Sequence, residues 1–308
     1  MRAEPILQPV WHAILTHGAG IVDHWLFPAT VGLLSFTVVC LGFTVKDLRR
    51  RARNKIVADR WPSRQDIARA AVPQMLIYVG ANALGWWAAD EHIALPQQAP
   101  DLFTLLWQVL ACFLVSDFLI YWEHRFMHAV PLLRRKVHSV HHKYLYPFSW
   151  AGGWVHPLED AVVIVCVVTP ALLFSVHPLS FWVFVALWVA CLIEEHSGYD
   201  VFWSPHRWLP FAWGGGGAPH DPHHNIHGSK NYGFVFTIWD QLFGTYMSLA
   251  EAAQRRAQAT RGPSIDPARL SLLLDAQPRD QGSPGPPGSS ERGDSIRIAW
   301  SPDLTSPA

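Results

Sequence analysis

Trp25–Val45 runs for twenty-one residues without a charged side chain. As helix, a run of that length crosses a hydrocarbon core about 30 Å thick. A basic stretch follows at once, from Lys46 to Lys55 with Arg49, Arg50, Arg51 and Arg53 between them. Cationic flanks favour the cytoplasmic side, so residues 46–70 are expected there. A secretory signal would need a charged start, a shorter apolar core and a small-residue cleavage site, none of which is seen; the run is expected to be retained as a span. Ala70–Ala89 is also uncharged, although broken by Pro73 and Asn82, and Leu102–Trp122 contains a single acid, Asp117. The acidic stretch Asp90–Asp101 between them predicts a hairpin whose tip faces away from the cytoplasm. Ala161–Val176 and Leu179–Ile193 then flank His177-Pro178 as a second hairpin, each arm short enough to be tilted or re-entrant. The expected fold is all-α: a polytopic membrane protein with about four transmembrane or re-entrant helices and a cytoplasmic histidine-rich helical cap.

On this topology His124–Glu159 and Glu194–Gly244 share the side of the basic stretch. Residues 1–99 are read as the first spans and basic loop, 100–250 as a catalytic region, and 251–308 as a tail. The tail is rich in proline, serine and glycine from Gly262 and is expected to be disordered. Half the residues are hydrophobic, only 16% are charged and the formal net charge is zero, so nothing points to nucleic acid. Cys40, Cys112, Cys166 and Cys191 lie inside apolar runs with no CxxC spacing, as small core residues do. Gly214–Gly217 lacks the strand and helix context of a phosphate-binding loop.

Eight of the seventeen histidines form three tight clusters: His124 and His128; His138, His141 and His142; His220, His223 and His224. Spacings of three and four place side chains on one helical face. Imidazole is a common ligand for iron, zinc, copper and nickel. Four or five ligands saturate one such ion, so eight converging imidazoles imply two ions held close together. His196, which ends the second hairpin just after Glu194 and Glu195, is expected as a ninth ligand. His12, His17, His24, His92, His177 and His206 have no histidine at ligand spacing and read as structural or solvated. His227 reads as a bystander, and His156 is left open between ligand, pocket wall and helix start.

Asp117, Tyr121, His124 and His128 recur at four, three and four residues and form one stripe at the end of the third span. An acid within an apolar run needs a partner. Asp117 is therefore expected behind a ligand imidazole as its hydrogen-bond acceptor, with Tyr121 a further candidate for that outer layer.

Together these residues resemble the fatty acid hydroxylase/sterol desaturase superfamily. The resemblance rests on Asp117-Phe-Leu-Ile-Tyr-Trp-Glu-His-Arg-Phe-Met-His128, His138-xx-His141-His142, His156-Pro-Leu-Glu159, His196-Ser-Gly-Tyr-Asp200 and His220-Asp-Pro-His223-His224. Asn231-Tyr-Gly233 and Trp239–Thr245 match it too, so that the likeness covers roughly residues 100–247. It implies a membrane-embedded di-iron site, O2 as co-substrate, and electrons from a separate redox partner such as cytochrome b5 or a reductase, with NAD(P)H acting indirectly. His196–Asp200 with Leu209-Pro-Phe211 most resembles the C-4 methylsterol monooxygenases; Gly214–Gly217, Asn225–Lys230 and the tail depart from them. The expected reaction is hydroxylation of a lipid, above all a sterol C-4 methyl group, with fatty-acyl or sphingoid hydroxylation or sterol desaturation as alternatives. The expected location is the endoplasmic reticulum membrane in a eukaryote or the inner membrane in a bacterium.

A zinc-dependent hydrolase competes less well. Residue 125 is arginine where a zincin carries its glutamate, and one catalytic zinc needs only three protein ligands. A metal carrier would place its ligands within the spans rather than at their ends. Tyr144, Phe148, Trp150 and Trp154 read equally as pocket wall and as membrane-interface anchors.

Overall fold

A computed structural model describes residues 5–51, 53–88, 91–226 and 229–261. His227 and the tail from Gly262 lie outside the described residues. The architecture is helical: α1 (Gln8–His17), α2 (Phe27–Leu48), α3 (Arg64–Ala88), α4 (Leu102–Ala129), α5 (Pro157–Leu173), α6 (Pro178–Glu195), α7 (Gly217–Asn225) and α8 (Leu249–Arg261), with short helical turns in the long connections between α4 and α5, α6 and α7, and α7 and α8. Three of them, α2, α4 and α6, are long and apolar enough to cross a membrane. The 25-residue α3 and the 17-residue α5 cover the two remaining apolar runs, but the extensive packing is of α2 on α6 and of α4 on α5 and α6, not between the arms of each expected hairpin.

The spans are apolar on the outside. On α2, Phe36, Cys40, Phe43 and Asp47 are buried at helical spacing, while Leu34, Val38, Leu41 and Val45 form an exposed stripe, Val38 at 68%. A helix that is hydrophobic all round belongs in a large core or in lipid. On α4 the inversion is sharper: Gln108, Ser116, Asp117 and His124 are buried, and Phe103, Leu106, Leu110 and Phe126 face outward. Soluble monomers seldom expose contiguous apolar patches beyond a few hundred Å². Lipid is the solvent that suits this surface.

Helices α3 to α6 start on side-chain caps. Asp101 accepts from Thr104 N at 2.8 Å to open α4. Ser63 and Asp66 cap each other's backbone N–H groups ahead of α3. His156 and His177 do the same work before Pro157 and Pro178: Nδ1 of each accepts from the backbone N–H two residues on, at 3.1 Å. His156 is therefore a helix start. Its sequence and that of His177 share one grammar, histidine then a proline whose missing N–H suits the first helical turn.

Helix α2 packs on α3 and α6, and α4 on α5 and α6, so α6 is central. At one end, Lys55 and Tyr199 both bond Asp47 Oδ1, at 3.2 and 2.8 Å. Asp200 N donates to Asn54 O in the same place. This knot fastens the basic stretch beside His196–Asp200, so the histidines and basic residues share one end of the bundle. The four cysteines are unpaired and at least half-buried among apolar neighbours.

Candidate metal centre

Three segments bring the clustered histidines to that end. His124 and His128 are one turn apart on α4, and His220, His223 and His224 lie on α7. His138, His141 and His142 instead occupy a π turn, Arg134–His138, and a 3-10 turn, His141–Lys143. His196 caps the end of α6. The nine form two groups: His124, His128, His138, His142 and His223; and His141, His196, His220 and His224. Ligand atoms within each lie within 4.8 Å of one another. The groups abut, with the rings of His142 and His224 4.6 Å apart between centroids.

In the first group Nε2 of His138 is 2.8 Å from that of His128 and 3.0 Å from that of His142, which is 3.1 Å from that of His223. In the second, the His141–His196 and His220–His224 Nε2 pairs stand at 3.2 and 3.0 Å. Adjacent ligands of one octahedral ion with bonds of about 2.1 Å stand about 3.0 Å apart. The spacing fits shared ions.

The outer nitrogens fix the tautomers. A carbonyl can only accept, so the ring nitrogen facing it carries the proton and leaves Nε2 with a free lone pair. Nδ1 of His124 donates to Tyr232 O at 3.2 Å, His223 to Lys230 O at 2.7 Å and His196 to Leu192 O at 2.9 Å. His138 Nδ1 meets Glu159 Oε1 at 2.7 Å. Glu195 Oε1 lies 3.3 Å from His220 Nδ1, though out of line for a hydrogen bond. Burial pushes His142 and His196 down to about 4. Burial, then neighbouring imidazoles, drive His141, His220, His223 and His224 well below the ordinary histidine range. At neutral pH these rings are uncharged, the form that binds metal.

Asp117 differs from the sequence expectation: it accepts from Val235 N, Phe236 N and Trp239 Nε1 at 2.6, 3.3 and 2.8 Å, and from no imidazole. Its partner is the 230–239 loop, which long-range packing brings against α4. Tyr121 also stands one step away, accepting from Arg125 Nη1 and donating to Thr245 Oγ1, each at 2.9 Å. Thr245 Oγ1 passes its proton on to Asp240, which also accepts from Tyr232 N and Gly233 N. Asp117 and Asp240 thus pin a loop whose carbonyls orient His124 and His223. The acids that approach imidazoles directly, Glu159 and Glu195, carried the same signal as Asp117: a carboxylate in or beside an apolar run. The glycine stretch has a packing cause, since a Cβ on Gly215 would fall 2.0 Å from Phe234 O and one on Gly216, at φ +100°, 2.5 Å from Ser204 Oγ.

A cavity of 550 Å³ opens from the histidines along the bundle, within the range of sites for small molecules. His124, His138, His141, His196 and His220 line it at one end, and Leu26, Pro28 and Asn82 are among its more remote wall residues. Helices α2 and α3 face α5 and α6 across it. Its aromatics are Phe36, Tyr78, Phe181, Trp188, Tyr232 and Phe234. Tyr144, Phe148, Trp150 and Trp154 do not line it; they belong to the apolar cluster between α2 and α3. The remaining histidines stay apart: His24 stacks on Trp86 at 3.6 Å, and His206 lies 3.2 Å from Asp200.

The fatty acid hydroxylase family model matches residues 109–245, which contain all nine clustered histidines. Cholesterol 25-hydroxylase of Mus musculus is 34% identical over 251 residues, 79% of this chain and 83% of its own length. The Homo sapiens protein of that name is 32% identical over 258 residues, 80% of this chain and 93% of its own. Methylsterol monooxygenase 1-1 of Arabidopsis thaliana is 36% identical over 148 residues, 47% of this chain and 49% of its own. No solved structure matches. The chain belongs to the fatty acid hydroxylase family, and it is an oxidoreductase that acts on lipids.

Proposed function

We propose that the protein is a membrane-bound di-iron monooxygenase that hydroxylates a sterol, using O2 and electrons from a separate donor such as cytochrome b5 or a reductase fed by NAD(P)H. The observation that carries this reading is the placement of two groups of imidazoles, five and four, at the end of an apolar cavity. Nine imidazoles in two groups suit two borderline metals, and iron is the one whose redox chemistry an oxygenase needs. Such irons supply the reduction of O2, with one oxygen retained as hydroxyl, the other released as water, and two electrons drawn from the donor.

The protein's own part is placement. Outer hydrogen bonds hold the rings, α2, α3, α5 and α6 exclude water, and the cavity between α2–α3 and α5–α6 suits lateral entry from the bilayer. The basic stretch beside the histidines supports a cytoplasmic site, in the endoplasmic reticulum or the bacterial inner membrane. Two positions on a sterol are supported: the C-4 methyl group by the methylsterol relatives, and a side-chain carbon by the cholesterol 25-hydroxylases, which align over more of the chain. They differ in which end of the sterol faces the imidazoles.

Purified protein supplied with a reductase chain, a sterol and labelled oxygen gas should return a singly labelled hydroxysterol and contain two irons per chain. Turnover of fatty acyl or sphingoid chains with none of the sterol would move the substrate to that class. Oxygen-independent hydrolysis would defeat the redox reading.

A further inference from the structure

The wall of the cavity contributed by α2 and α3 is apolar except at two side chains, Tyr78 and Asn82. Tyr78 is engaged, donating its hydroxyl proton to Gly153 O at 3.2 Å. Asn82 is held from one side only. Trp86 Nε1 donates to Thr30 Oγ1 at 3.1 Å, and Thr30 Oγ1 stands 3.2 Å from Asn82 Oδ1. Thr30 Oγ1 accepts from Trp86 and has two acceptors within reach of its own proton, Asn82 Oδ1 and, at 3.4 Å, Leu26 O. The amide meets Thr30 through Oδ1, and Nδ2, with two N–H donors, has no partner among the described residues. An unengaged donor on an apolar wall in lipid is costly unless a ligand meets it.

Its position along the cavity gives the donor meaning. The wall meets the histidines at Gly152 and Gly153: a Cβ on Gly152 would lie 3.2 Å from His196 Cβ, and one on Gly153 2.8 Å from Phe36. Thr30 is six residues from Phe36 on α2, about 9 Å of helix, and Asn82 is one further turn beyond Tyr78 on α3. The polar spot therefore stands well removed from the imidazoles, near where Leu26 packs over Gly85 and His24 stacks on Trp86.

We propose that Asn82, held by the Thr30–Trp86 hydrogen-bond chain, is the subsite for the hydroxyl of the sterol, so that the substrate lies with its side chain toward the histidines. This rests on the sterol reading above and refines it. The C-4 carbon is one bond from the hydroxyl-bearing carbon, and the ring system is rigid, so a sterol anchored at Asn82 keeps its C-4 methyl at the remote end. Only the flexible side chain reaches the imidazoles. Asn82 is a positioning residue, and the position oxidised follows from the length of the rigid nucleus between anchor and metal end.

The test compares cholesterol with 5α-cholestane, which lacks the hydroxyl, for equilibrium binding to the full-length protein in lipid nanodiscs. Wild type should bind cholesterol about tenfold more tightly, the worth of one hydrogen bond shielded from water. Asn82→Leu should abolish that preference while binding cholestane as before, which also reports that the variant is folded. A second measurement needs no variant: a photoreactive group on ring A of the sterol should label peptides from residues 64–88, and one on the side chain should label residues 138–142 or 220–224. Equal wild-type affinity for the two ligands, the reversed labelling pattern, or a product hydroxylated on the C-4 methyl group would each overturn the subsite while leaving the sterol monooxygenase intact. Absence of sterol binding and turnover altogether would remove both.

Discussion

The two histidine groups differ in depth and in what stands behind their rings. The five-membered group includes His128 and His142, which are half-buried, whereas all four members of the other group are buried. Three rings of the first group, those of His124, His138 and His223, have their outer nitrogens satisfied by protein oxygens. In the second only His196 is so fixed; Nδ1 of His141 and of His224 is buried without a partner, and His220 has Glu195 nearby but out of line. Yet three of the four, His141, His196 and His220, line the cavity. The first group is the better braced, and the second is the more deeply enclosed, with fewer ligands and more freedom at each. A metal with fewer protein ligands keeps positions open for small molecules, so on the proposed di-iron reading the second group is the one expected to meet substrate and oxygen.

The largest effects should come from removing one ligand of each group. His223→Ala and His141→Ala should both reduce hydroxylation to background with the helices intact by circular dichroism. Iron analysis should find the loss of one ion in each variant, from a different group. Full activity in either variant would break the ligand assignment; loss of both ions from either would show the two groups to be one cooperative site.

Next come the carboxylates behind the rings. Glu159→Gln and Glu195→Gln should each lower iron affinity or turnover about 10- to 100-fold, the usual cost of an outer partner to a ligand histidine. The out-of-line Glu195–His220 contact becomes informative here. If the second group tightens when loaded, Glu195→Gln should weaken iron retention as much as Glu159→Gln does. If only Glu159→Gln matters, the asymmetry between the groups persists in the loaded enzyme.

A smaller effect is expected from Asp117→Asn, which removes acceptor capacity from a buried carboxylate serving three N–H groups. Thermal unfolding in detergent should show a loss of about 1–3 kcal/mol. Turnover should fall with it, because the 230–236 loop carries the carbonyls for His124 and His223, both in the first group. Equal loss of iron from both groups would contradict that route.

The smallest is His156→Ala. Loss of its cap should cost about 1 kcal/mol of stability and leave the iron content unchanged. Loss of an ion would bring His156 into the ligand set and redraw both groups.

Much of this was legible in the chain. The uncharged runs located the long apolar helices, although α3 begins six residues before its run and α4 extends seven beyond its own, because lipid imposes a length and a composition that no other environment requires together. Eight of the grouped histidines were legible because they stand at short, regular spacing, His196 because it follows Glu194 and Glu195 at the end of an apolar run, and the buried acids because a carboxylate in an apolar run demands a partner. Which partner it finds was not legible. Asp117 shares a helical stripe with His124, but the groups it bonds lie 118 to 122 residues further along.

The sequence by itself determined the class of solvent, the helices and the identity of the donors, since each depends on composition and periodicity within one or two turns. Only the tertiary structure decided how the donors are shared out. The cluster His138, His141 and His142 is split, its outer members joining His124, His128 and His223 while His141 joins His196, His220 and His224. That division follows from a π turn running into a 3-10 turn, which breaks the regular rotation that a continuous helix gives to spacings of three and four. The cavity is likewise a product of packing: its walls come from α2 to α7, which lie up to a hundred residues or more apart in the chain, and no local pattern records which of their faces will meet.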